Sequence, residues 1–220
     1  MNRMWTAALL LAATATAAAA AEGSESYANF LSIKLTNGTA DIATVLSSPA
    51  LNDFAPAYDH SEYGFKVEYQ RMMGPEYAFN LGYGMGFFSE EDKPGNNAAP
   101  GDGAQKYSQS SYSFRIGGDR LLGVGEKTYI FFGPGIEWWS GKAKFEDETP
   151  PGASYETESI SRISVGARLG GHMMVGPTWG VTVQIGTKIG RATYKEAGEE
   201  TTWWPSSMEG GVGLVFKFGG

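Results

Sequence analysis

Large apolar residues recur at every second position along most of this chain. In its closing stretch Val212, Leu214, Phe216 and Phe218 alternate with Gly211, Gly213, Val215 and Lys217. A period of two puts one set of side chains on each face of a β-strand. The same alternation runs through residues 30–35, 62–72, 77–88, 107–118, 128–139, 159–175 and 178–194, so with 208–218 the pattern predicts eight strands. In the third, Tyr77, Phe79, Leu81, Tyr83, Met85 and Phe87 oppose Ala78, Asn80, Gly82, Gly84 and Gly86. In the sixth, Ile163, Val165, Ala167, Leu169 and Met173 oppose Arg162, Ser164, Gly166, Arg168 and His172.

The connections alternate in length. Short turns are expected at 73–76, 119–127 and 176–177, and long polar segments at 36–61, 89–106, 140–158 and 195–207. Strands joined by short turns pair antiparallel. Eight of them place the short turns and both chain termini at one end and the four long loops at the other. That is the layout of an eight-stranded up-and-down barrel spanning a membrane. A soluble cup of eight strands is the rival architecture, and it points its large apolar face inward. Here the opposite face is Gly, Ala and Ser with scattered charges, which fits a narrow lumen, whereas a ring of Tyr, Phe, Trp and Val would overfill it. The apolar face therefore meets lipid. Closure requires the first strand to pair with the last, because an unpaired strand edge in hydrocarbon costs several kcal/mol per bare polar group. Pro134 donates no ladder bond, so a bulge or distortion is expected beside Gly133 and Gly135.

The N-terminus changes the picture by placing the chain outside the cytoplasm. Arg3, an apolar run from Trp5 to Ala13 and the small residues Ala19 to Ala21 read as a signal peptide over 1–21, leaving 22–220 as one barrel domain. The chain has no cysteine. Its formal net charge of −7 becomes −8 once Arg3 departs, which argues against a nucleic-acid partner. Aromatic residues gather where the membrane interfaces should lie. Tyr69, Tyr77, Trp179 and Phe218 fall near the turn end; Phe87, Tyr107, Trp138 and Trp139 fall near the loop end.

Taken together, the leader, the eight alternating strands, the loop asymmetry and the last segment resemble the small outer-membrane β-barrel superfamily, the OmpA- and OmpX-type barrels. Members carry a C-terminal assembly signal: a glycine, an apolar residue three on, and an aromatic two further. Gly213, Phe216 and Phe218 match that spacing. The chain departs from it in having Gly211 where a polar residue is common, and in the trailing Gly219-Gly220. The resemblance implies a bacterial outer-membrane location, contact with outer-membrane lipids and lipopolysaccharide, insertion by the barrel-assembly machinery, and a monomer. It implies no single activity.

Candidate chemistry is sparse. By parity Lys34, Lys66, Glu68, Arg115, Glu137, Arg162, Arg168, Lys188, Glu209 and Lys217 face the lumen. Charges in so narrow a space are costly unless paired. They are read as a structural network that fills the barrel; the alternative is a narrow passage for small solutes, with a basic excess that would favour anions. The acidic loop clusters at Glu90–Asp92, Glu146–Glu148 and Glu199-Glu200 have no coordination spacing and read as solvated surface. Asp59-His60-Ser61 raises the idea of a lipid A-modifying enzyme, but sequence neighbours rarely meet in triad geometry. The expectation is a non-enzymatic structural or surface-interaction protein with no cofactor and no metal.

Overall fold

The computed structural model describes residues 28–39, 61–92, 105–147, 153–156, 160–196 and 199–219. The proposed leader, Asp59-His60 and Glu148 lie outside those residues, and the Tyr107 side chain outside those described. Ten antiparallel strands form one sheet: β1 (Asn29–Thr39), β2 (Ser61–Met72), β3 (Tyr77–Asp92), β4 (Gln105–Gly123), β5 (Thr128–Asp147), β6 (Ala153–Glu156), β7 (Ile160–Met174), β8 (Trp179–Glu196), β9 (Glu199–Trp203) and β10 (Ser206–Phe218). Eight of them make the wall, in the order β1-β2-β3-β4-β5-β7-β8-β10, and β10 returns to pair with β1, closing the barrel. The short β6 and β9 pair only with the loop-end extensions of β5 and β8.

The register fixes the barrel's shape. Paired partners lead from Phe132 through Leu169, Ile185, Gly210, Asn37, Tyr63, Phe87 and Ser110 to Lys142. One circuit thus returns to β5 ten residues beyond its start, a shear of ten. Eight strands with that shear, spaced about 4.8 Å apart, tilt by about 40° and enclose a backbone radius of about 8 Å. Each residue then climbs about 2.5 Å along the barrel axis, so about ten residues cross an apolar band about 25 Å tall. The strands of 11 to 20 residues are long enough, and β5 and β8 run well past it.

Burial is inverted relative to a soluble protein. Leu35, Phe87, Ile136, Val165, Ile185 and Leu214 point outward and are exposed, while Lys34, Lys66, Glu68, Glu137 and Arg168 are buried inside. The apolar face meets lipid as the alternation requires. Tyr77 and Trp179 face outward near the turns, and Trp138 does so near the loops with Tyr112 edge-on at 5.1 Å.

Two sequence expectations change and a third is narrowed. The turn placed at 119–127 shrinks to 124–127, because β4 continues to Gly123; Asp119 to Gly123, read as the start of the turn, continue the strand. Gly125, with φ of 150°, sits in the turn instead. Of the bulge or distortion expected at Pro134, the structure has the distortion: Gly117↔Gly135 and Arg120↔Phe132 keep one register, and the pairs between them are missing on the β4 side. On the β7 side the ladder runs through unbroken, Pro134↔Ala167 included. Trp139, expected at the interface beside Trp138, is turned into the lumen and buried. Adjacent residues of a strand face opposite sides, so only one tryptophan of the pair can meet lipid.

Candidate functional site

The lumen is the one region of the described residues where polar side chains converge, and it is layered. Its lowest layer, beside the turns, is apolar. Phe30, Leu121, Phe131, Met174 and Val215 point inward from five strands into one buried cluster, with Phe131 fully inaccessible. Gly170 makes the room: a Cβ there would collide with the Phe131 ring. All five residues have inward parity, but they lie on five separate strands and form a cluster only once the barrel closes.

A hydrogen-bonded layer rests on this plug. The His172 ring lies 5.1 Å from that of Phe30 and 4.8 Å from that of Phe131. Its Nε2 is 2.7 Å from Gln70 Oε1 and its Nδ1 is 3.0 Å from Thr182 Oγ1. The Gln70 amide NH₂ donates to Asp119 at 2.8 Å, so its carbonyl oxygen is left to accept from His172 Nε2–H. That assigns the tautomer, and Thr182 then donates to Nδ1.

Above it stand two ion-pair clusters, each of two cations and two carboxylates. In the lower, Arg168 donates Nε and Nη2 to Asp119 at 3.1 and 2.5 Å and Nη1 to Glu68 at 2.5 Å. Lys34 pairs with Glu68 and donates to Gln184 at 2.5 Å. Asn80 also donates to Asp119, at 3.0 Å. In the upper, Lys66 lies 2.7 Å from Glu209 and 3.4 Å from Glu137, while Lys188 pairs with Glu137 and lies 3.3 Å from Glu209. Each carboxylate here faces at least one cation, the condition under which buried charge is tolerable.

Three predicted lumen charges stand outside these clusters. Lys217 lies at the turn end, where its Nζ is 3.1 Å from the Tyr129 hydroxyl and 5.5 Å from the ring centroid. Arg115 is buried with its Nε and Nη2 lacking hydrogen-bond partners. Gly135 leaves space for it, since a Cβ there would stand 2.5 Å from the guanidinium carbon. Arg162 is buried at the loop end, its guanidinium 5.3 Å from the Trp139 ring centroid and its Nε unpartnered. Asp119 was missed in the sequence because it was assigned to a turn; its parity, two and four residues from Gly117 and Arg115, would have found it. The assembly-signal residues lie on the closing seam, with Gly213 paired to Lys34 and Phe216 to Leu31. Phe218 stacks near Tyr69 at 6.1 Å. Among the described residues no group of three or more His, Asp and Glu side chains is arranged to hold a metal. Two loop-end carboxylates sit beside cations instead: Glu146 with Lys144, and Glu200 with Arg191 at 3.9 Å.

Residues 5–218 match the family described as the outer membrane protein beta-barrel domain. No curated protein sequence matches the chain. Among solved structures it is similar to the outer membrane protein OprG of Pseudomonas aeruginosa, at 7% identity and a TM-score of 0.50 over 87% of this chain and 95% of that one. It is similar also to Ail, the attachment invasion locus protein of Yersinia pestis, at 12% identity and a TM-score of 0.48 over 88% and 99%. Neisserial surface protein A gives 12% identity and 0.44 over 90% and 100%.

Proposed function

The chain belongs to the outer membrane protein β-barrel domain family, and from that premise we propose that it is a non-enzymatic structural and surface-interaction protein with a closed lumen. It lies in the bacterial outer membrane. The observation that carries the proposal is the stack of apolar plug and ion-pair clusters across a barrel of about 8 Å backbone radius. A solute passing through would have to part buried aromatic rings and separate buried ion pairs, each step costing several kcal/mol. The wall is thus a rigid mount for the four loops at its outer end, and the strands β5, β6, β8 and β9 extend that mount into the external water. Around it the apolar belt contacts outer-membrane lipid and lipopolysaccharide, and Gly213, Phe216 and Phe218 serve as the signal read by the assembly machinery.

Liposome swelling tests the closed lumen. Proteoliposomes of the purified chain are expected to swell in arabinose or glycine no faster than empty liposomes. Swelling at rates typical of a general porin would favour the passage reading instead.

A further inference from the structure

We propose that the loop-end vestibule of the lumen is a binding site for a small oxyanion of the phosphate class, held by Arg162. A cavity of about 50 Å³ lies above the upper ion-pair cluster. Its charged lining is Lys66, Lys188, Arg162 and Glu209. Glu209 is already held by Lys66 and Lys188, and these two lysines also hold Glu137, so that set balances to neutrality. Arg162 is the surplus. It is only 8% exposed and makes no ion pair with any described carboxylate, and its Nε has no partner. An uncompensated guanidinium in so enclosed a place is costly, and an anion removes that cost. Its planar fork suits an oxyanion with two parallel acceptors.

The surroundings are built for the same ligand. Trp139 lies against the guanidinium and restrains it. Ser113 contributes a hydroxyl to the wall. Gly84 keeps the space clear, since a Cβ there would stand 2.6 Å from Ser113 Oγ. A second surplus guanidinium, Arg115, 6% exposed, lines the adjoining smaller cavity below and adds positive potential without a carboxylate partner of its own. The plug closes the other end, so the ion enters and leaves from the loop side. The site needs the barrel but not the absence of conductance, so the two proposals fail separately.

Isothermal titration calorimetry of the refolded chain in detergent micelles with inorganic phosphate tests it. Saturable one-to-one binding is expected, about ten- to hundredfold weaker in Arg162→Gln and retained in part by Arg162→Lys. Arg120→Gln, at an exposed pair, should bind as wild type does. Heat-modifiable gel mobility verifies that each variant is folded. Should Arg162→Gln not fold, Trp139→Phe replaces it: phosphate should shift the tryptophan emission of the wild type and leave that of Trp139→Phe unshifted. Glucosamine 1-phosphate separates the sources, since tighter binding than inorganic phosphate marks a glycolipid headgroup and weaker binding a free ion. No saturable binding by the wild type would overturn the proposal. So would a folded Arg162→Gln that binds undiminished, or an emission shift that survives in Trp139→Phe.

Discussion

Asp119 accepts hydrogen bonds from Arg168, Gln70 and Asn80 while almost fully buried. Alanine there leaves a buried guanidinium with Glu68 as its one carboxylate and strands two amide donors. Loss of one member of a buried pair costs about 3–5 kcal/mol. Asp119→Ala is therefore expected to lose about that much in reversible urea unfolding from lipid vesicles, whereas Arg120→Ala should leave the transition nearly unmoved. The contrast arises because the neighbouring Arg120–Glu76 pair is nearly half exposed on both sides. On the outer face the cost follows depth. Leu169 lies about 15 Å above the turns and Met173 about 5 Å, from the rise set by the strand tilt. Arginine at Leu169 should cost about 2–4 kcal/mol and at Met173 about 0–1 in the same unfolding assay. Equal costs at both positions would place the bilayer elsewhere on the wall. At this scale parity carried most of the sequence information: it put Lys66, Glu68, Glu137 and Arg168 inside. Where it was set aside, for Asp119 as a turn residue and Trp139 as an interface residue, the assignment failed.

The β1–β10 seam is the one wall contact between strands distant in sequence, and it sets whether the sheet is a barrel at all. Ten pairs hold it, Asn29↔Phe218 to Gly38↔Glu209. At Gly213 the backbones come so near that a Cβ would stand 2.6 Å from the Lys34 Cα. Gly213→Ala must force the strands apart, so it should reduce the heat-modifiable fraction and slow insertion into vesicles. Gly210→Ala, where the nearest atom to such a Cβ is 3.9 Å away, should change neither. Eight strands, their antiparallel order and the closing pair were all legible in the alternation and the turn lengths. Strand ends were not. Toward the loop end of β5 and β8 the alternation in the sequence fades while the ladder continues into β6 and β9. The ladder of backbone hydrogen bonds runs through those extensions, and hydropathy does not record it.

Across the whole molecule the apolar belt faces out, the ion pairs fill the middle, and an apolar plug seals the turn end. The charges of the network were readable by parity. Which charges pair was not, because it depends on the shear of ten, which brings Lys66 of β2 beside Glu209 of β10 and Glu137 of β5. The plug was concealed for a related reason: Phe30, Leu121, Phe131, Met174 and Val215 are spread over five strands and meet only in the closed barrel. A closed lumen is the central claim, and planar-bilayer recording tests it most directly. Wild-type protein is expected to give no stable open level, and Phe30→Ala/Phe131→Ala to give small, frequent openings. A large, stable open state in the wild type would contradict the account.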